Sequence, residues 1–414
     1  MNTKLRKRLI SSSLLIISIA GAIGINVKTT FAETSTTSPA VRTYITKGAR
    51  VFVDKAHPAH GDLSEADFKQ LTDAGFTVVV NRWAKDLRGR DIDLNQYVSR
   101  AASCGLSVMK WSYGLVDATN DTDRTINRLG KPTRYTIPSS KVGWQQLTDH
   151  LLEYARMSLK QHNFRGVLLD YEIYDRPHKT DGFCESYDDQ TFRDFFSDMG
   201  FDIPDPLPVA DQRQQYLIKR QMYQMYIGFQ IDQISKEAQA LRKAIDKINP
   251  NFQIGIYGWG VLVPPIIHQL ATPKAPALIL DAQTYGRSAY SNAFASGYDA
   301  DRPDHEALKW SLDTVKKGIA GAHQRYDNVI FLAGHYPQSP GPEDGTQFKF
   351  TAKQAFQSAA FGEGYWIWTD WVTPKPWTDR REWYDAMISY FAKANAALDA
   401  KNWAWAEKEP ETVK

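Results

Sequence analysis

The sequence predicts an α/β chain that closes into a (β/α)8, or TIM, barrel with an extended insertion after the fourth strand. Three observations predict it. Eight short runs rich in β-branched and aromatic residues alternate with longer stretches of helical period, the pattern of parallel strands joined by crossover helices. The longest irregular stretches follow the ends of the fourth and sixth runs, where barrels place their loop variation. No glycine-rich phosphate loop follows the first run, where an open doubly wound sheet would bind a nucleotide.

The chain of 414 residues opens with Lys4, Arg6, Lys7 and Arg8 before an apolar run and then Thr30-Phe31-Ala32. This is the make-up of a secretory signal peptide over residues 1–32, with cleavage expected before Glu33 and an exported, periplasmic or extracellular, protein as the consequence; retention of the run as an uncleaved membrane anchor is the alternative. Residues 33–45, rich in Ser and Thr, read as a flexible leader. The barrel domain is expected over 46–400, with a fraying tail over 401–414. Strands are predicted at 50–53, 77–80, 107–111, 166–171, 253–257, 277–281, 328–333 and 365–368. Helical periods fall at 64–74, 94–104, 142–162, 211–248, 264–270, 304–322, 352–361 and 380–397. The irregular insertions cover 176–210 and 284–303.

The formal charge of +3 comes from the signal segment, residues 1–32. Beyond residue 32 the chain holds 45 Lys and Arg against 47 Asp and Glu, so no electrostatic footprint for nucleic acid is present. No later segment is apolar enough to span a bilayer, and no membrane partner is expected after signal cleavage. Cys104 and Cys184 are the only cysteines. One bridge is the most they can form, and the plainer reading makes Cys104 a buried residue at a helix end and Cys184 a loop residue.

Chemistry gathers at the strand ends. Trp83, Trp111, Trp259, Trp366, Trp368 and Trp371, six of the twelve Trp, fall at or just past them, a platform on which the apolar faces of sugar rings can stack. Plugging of the barrel top is the alternative use for any one of them. Asp54, Asp170, Glu172, Asp281 and Asp370 lie in the same layer. Side chains alternate along a strand, so Asp170 and Glu172 point together into the barrel mouth while Tyr171 points away. Two carboxyls so close in an aromatic cleft cannot both ionise freely, and one is expected to stay protonated near neutral pH. That supplies an acid for glycosidic cleavage. Asp54, His57 and His60 cluster at the first strand end, but the fifth and sixth strands offer no His, so neither metal nor cofactor is predicted.

The segment Phe164-Arg-Gly-Val-Leu-Leu-Asp170-Tyr-Glu172 resembles the fourth-strand Asp-x-Asp-x-Glu motif of family 18 glycoside hydrolases and the Asp-x-Glu strand of family 25 lysozymes. Leu168 stands where family 18 has its first Asp. The resemblance implies Glu172 as the acid and Asp170 as the residue that orients substrate. Gln283 and Tyr285 are similar to the Tyr-bearing sixth strand of family 18, Trp366 and Trp368 to its eighth-strand Trp, and Asp54 and Asp281 to acidic positions of family 25. The insertion, with Phe183-Cys184-Glu185 and then Phe192-Arg-Asp-Phe-Phe196, is similar to that of a loosely defined group of barrel glycosidases.

These readings imply catalytic roles for Glu172, Asp170 and Asp281, and carbohydrate contacts for Asp54, Trp83, Trp111, Trp259, Gln283, Tyr285, Trp366 and Trp368. No carboxylate lies in Ala333-Gly-His-Tyr336, which disfavours a retaining pair of Glu residues on the fourth and seventh strands. Retention would then need Asp170 and a substrate acetamido group; inversion would need Asp281 or Asp54 at roughly 6.5–9.5 Å from Glu172. A carbohydrate-binding envelope protein without chemistry is the competing class.

Overall fold

The computed structural model describes residues 44–54, 61–86, 88–114, 116–172, 174–175, 180–181, 183, 185–258, 260–281, 304–335, 346–368 and 380–406. The expected signal peptide, all but the last two residues of the leader, the insertion over 284–303, Cys184, and His57 and His60 lie outside them.

Eight parallel strands close into a barrel: β1 (Ala49–Asp54), β2 (Val78–Asn81), β3 (Ser107–Tyr113), β4 (Phe164–Asp170), β5 (Gln253–Tyr257), β6 (Ala277–Asp281), β7 (Val329–His335) and β8 (Gly364–Ile367). Each pairs with its sequence neighbours, and β1 pairs with β8 from Ala49↔Gly364 to Phe52↔Ile367. The fold class is the one expected, and every strand overlaps its prediction. Helices α1 (Glu65–Asp73), α2 (Leu94–Ser103), α3 (Lys141–Lys160), α4 (Asp189–Met199), α5 (Arg213–Lys219), α6 (Tyr223–Asp246), α7 (Val263–Leu270), α8 (Asp304–Arg325), α9 (Thr346–Phe361) and α10 (Arg380–Asp399) follow in chain order.

The two-residue alternation of the strands sorts the core into two layers. Val51, Val53, Val78, Val80, Met109, Trp111, Leu168, Tyr257, Leu278, Leu280, Ile330, Leu332, Trp366 and Trp368 fill the barrel interior. Phe52, Val79, Val108, Val167, Leu169, Ile254, Ile256, Ala277, Phe331 and Ile367 face the helices. Each buried Val, Leu or Ile contributes about 1.5–3 kcal/mol, so both layers oppose any one-residue register slip.

Local signals set the helix starts. Ser64 and Asp67 form a reciprocal capping box on α1, and Asp93, Ser140 and Asp188 cap α2, α3 and α4, each satisfying amides that lack intrahelical partners. One expectation is corrected: the single helix over 211–248 is two, because Gln221 adopts φ 58° between α5 and α6. Between β3 and α3, Arg124–Ile126 and Pro132–Thr136 pair as an antiparallel hairpin, which alternates too briefly to read from sequence. Cys104 is a free, partly exposed thiol whose Sγ lies 3.4 Å from the Glu65 carbonyl.

One glycine governs the top of β4. Gly258 holds φ +127°, and a Cβ there would lie 2.6 Å from the Tyr171 carbonyl carbon and 2.9 Å from the Glu172 nitrogen. Gly258→Ala should therefore cost about 1–3 kcal/mol of stability from backbone strain and displace Glu172. Thermal unfolding checks the loss; a variant as stable as the parent would contradict this role.

Candidate active site

The site forms where β4 meets β5. Asp170 pairs with Tyr257 in register, and the Tyr171 amide donates to the Tyr257 carbonyl at 2.7 Å, so pairing continues beyond the strand and fixes the backbone leading to Glu172. The Tyr257 hydroxyl donates to Glu172 Oε1 at 3.0 Å. The Glu172 amide donates to Asp170 Oδ1 at 2.8 Å, and the Trp111 indole N–H to Oδ2 at 3.2 Å. Tyr171 turns outward, buried against Phe183 at 5.2 Å between ring centroids, as its parity requires.

Asp170 is buried and Glu172 is half-buried. Burial pushes the Asp170 carboxyl up to about 7; the neighbouring Glu172 charge adds to this, while the Glu172 amide, Arg82 and Trp111 oppose it. The Asp170 carboxyl therefore titrates in the neutral range.

Aromatic rings wall this pair. Trp111 lies 4.9 Å from Trp368 and 5.5 Å from Tyr257 between centroids, and Tyr257 and Trp368 stack at 6.4 Å. The guanidinium of Arg82 sits 4.8 Å from the Trp368 centroid, 5.4 Å from Trp83 and 5.8 Å from Trp111. Arg82 and Tyr257 were not among the residues expected from sequence. Both were legible in principle: each holds the inward parity at the end of a strand, Arg82 two residues after Val80 and Tyr257 two after Gly255.

Three expected site residues are placed elsewhere. Trp366 is fully buried; its indole N–H donates to the Asp281 carbonyl at 3.1 Å, and Gly334 leaves the room, since a Cβ there would lie 2.8 Å from Trp366 Nε1. Trp366 is barrel filling, not a face for a ligand. Asp281 takes the parity of Ala277 and Ile279, which contact the helix-facing core, so alternation directs it away from the Asp170 and Glu172 side chains. Asp54 also takes the outward parity and is fully buried. Trp83 is half-buried at the mouth and Trp111 and Trp368 are buried there. Trp259, Gln283, Tyr285, Asp370 and Trp371 lie outside the described residues.

Asp54 belongs to a polar rung on the outer face of β1, β2 and β3. Asp54 pairs with Asn81 and Asn81 with Lys110 in register. Lys110 Nζ donates to Asn81 Oδ1 at 2.6 Å and to the Trp83 carbonyl at 2.9 Å; the Tyr97 hydroxyl donates to Asp54 Oδ2 at 3.2 Å; Asn81 Nδ2 donates to the Gly61 carbonyl at 3.4 Å. The rung pins the segments after β1 and β2, and thereby Arg82 and Trp83. Burial pushes Asp54 up to about 7 and Lys110 down to about 8. Among the described residues no three His, Cys, Asp or Glu side chains cluster as metal ligands, and no helix is long and apolar enough to cross a membrane.

No family model matches the chain, and no curated protein matches it in sequence. Solved structures resemble its fold. A β-galactosidase from the Antarctic haloarchaeon Halorubrum lacusprofundi superposes with TM-score 0.55 at 12% identity, over 85% of this chain and 58% of that one. A β-galactosidase from Rahnella sp. R3 gives 0.54 at 10%, over 87% and 57%, and one from the psychrophilic Marinomonas ef1 gives 0.53 at 11%, over 86% and 60%. The chain spans less than two thirds of the length of each. At such identities the likeness defines the fold, a (β/α)8 barrel.

The raised Asp54 carboxyl gives a signed expectation. Its folded value of about 7 exceeds the unfolded value of about 3.9, so the native protein keeps a proton that the unfolded chain releases, and stability falls as pH rises from about 4 to about 7. Asp54→Asn removes that loss. It also removes a charge that supports protonated Lys110, which acts in the same direction. His335, fully buried and pushed down to about 3 by burial, acts oppositely but in both proteins alike. The Tm of Asp54→Asn minus that of the parent should therefore rise between pH 4 and 7; a flat or falling difference in a thermal unfolding series would contradict the assignment.

Proposed function

We propose that the protein is an exported glycoside hydrolase acting on a polysaccharide or cell-envelope glycan, with Glu172 as the acid that protonates the glycosidic oxygen. One observation carries this reading: a half-buried carboxyl at the reactive end of a barrel, oriented by the Tyr257 hydroxyl, beside a buried Asp170 and walled by Trp111 and Trp368. Glycosidic cleavage needs a proton for the leaving oxygen and a group that stabilises positive charge at the anomeric carbon. Glu172 meets the first need. Asp170 meets the second when ionised, and its hydrogen bonds from Trp111 and the Glu172 amide fix its carboxyl plane. The aromatic walls offer apolar faces for sugar rings. The β-galactosidases that share the fold support a carbohydrate substrate by analogy of fold.

The outward parity of Asp54 and Asp281 leaves Asp170 as the partner of Glu172 that the geometry favours. Glu172→Gln keeps the size and the Tyr257 contact but cannot donate an acidic proton. On whichever member of a glycan panel the parent cleaves, the variant should lose kcat by about 10²- to 10⁴-fold with binding retained. Full turnover in the variant would remove Glu172 from the acid role, and a parent that binds glycans without cleaving any would make the barrel a binding protein.

A further inference from the structure

Arg82 is the residue at the mouth whose placement the acid chemistry alone does not explain. Its guanidinium lies over the rings of Trp368, Trp83 and Trp111, half-buried. Among the described residues it forms no hydrogen bond or ion pair, although a guanidinium presents five donors in a planar fork. The nearby Asp170 compensates this charge only in part: no hydrogen bond or ion pair joins the two, and burial holds its carboxyl up to about 7, so that near neutral pH it is only partly ionised.

Stacking on indoles holds such a cation without consuming its in-plane donors, and contributes about 0.5–2 kcal/mol. Those donors stay available at the site's edge. Below, the fixed rung from Lys110 to the Trp83 carbonyl holds the backbone from which Arg82 projects. The arrangement is a pre-positioned cation beside an aromatic sugar platform, and a planar carboxylate matches its fork in bidentate fashion. A neutral sugar hydroxyl would leave its charge uncompensated once a bound ligand covers it.

We infer that the glycan recognised at this mouth carries a carboxylate, that is, a uronic-acid sugar, and that Arg82 pairs with it. The inference rests on the glycan-cleaving reading above and names its substrate class. Binding is measured by calorimetry at 50 mM and 300 mM salt with uronate oligosaccharides, namely galacturonate, mannuronate and glucuronate-containing tetrasaccharides. Each is compared with its carboxyl-reduced counterpart and with a sulfated neutral tetrasaccharide. The parent protein, Arg82→Gln and Arg82→Lys are compared after near-UV circular dichroism shows that their Trp environments match.

At least one uronate should bind the parent 10-fold or more tightly than its reduced counterpart, with a preference that shrinks at high salt. Arg82→Gln should lose that preference, read as the ratio of uronate to reduced-sugar affinity within the one variant, and Arg82→Lys should keep part of it. Three results would overturn the inference. They are a parent that binds reduced and uronate sugars alike, a preference that survives in Arg82→Gln, and a sulfated sugar bound more tightly than every uronate. In each of these cases the glycan reading stands, because a sugar is bound. A parent that binds no member of the set also overturns the inference, and the glycan reading is then decided by the cleavage panel described above.

Discussion

Alternation of side chains along a closed set of parallel strands is the constraint on which the site depends. A closed barrel has one inside, and a residue at a strand end faces either that inside or the helix layer according to its parity. On β4, parity sends Asp170 inward and Tyr171 outward against Phe183. On β1, β2 and β3 it sends Asp54, Asn81 and Lys110 outward together, in register, where they form a buried rung. The same rule thus separates the four described acidic strand-end candidates into an inward pair, Asp170 and Glu172, and two outward residues, Asp54 and Asp281.

Burial then divides the chemistry. A carboxyl without solvent keeps its proton longer, and Asp170 and Asp54 are both raised to about 7 for that reason. Their surroundings differ. Asp170 looks into an aromatic mouth lined by Trp111, Tyr257 and Trp368, where a ligand can arrive, whereas Asp54 is enclosed under Tyr97 of α2 and serves the backbone that presents Arg82 and Trp83. Similar shifts therefore mark a group that faces the barrel mouth in one place and an anchor in the other.

The architecture was legible because its signals are local: runs of Val, Ile and Leu at strand spacing, longer helical periods between them, and a long insertion after the fourth strand. The pairing of Asp170 with Glu172 was legible for the same reason, since two residues of separation fix a common face. Asp54 and Asp281 were misread because acidity at a strand end was weighed without parity; Phe52 and Ile279, each two residues before, already mark the helix-facing side. Trp366 was assigned to a ligand platform because sequence cannot show that Gly334 opens a slot for its indole. Arg82 and Tyr257 were passed over because their importance lies in what they touch, and those contacts cross from β2 to β8 and from β5 to β4.

The central claim is that Glu172, held by Tyr257 and set beside Asp170, meets the glycosidic oxygen of a bound sugar. The most direct measurement is a crystal structure of Glu172→Gln with an oligosaccharide that the parent cleaves. The account predicts a sugar ring lying against Trp111 or Trp368, with the bridging oxygen within hydrogen-bonding distance, about 2.6–3.2 Å, of the residue-172 side chain. A sugar whose bridging oxygen lies beyond reach of residue 172, or one seated away from the β4–β5 end of the barrel, would contradict it.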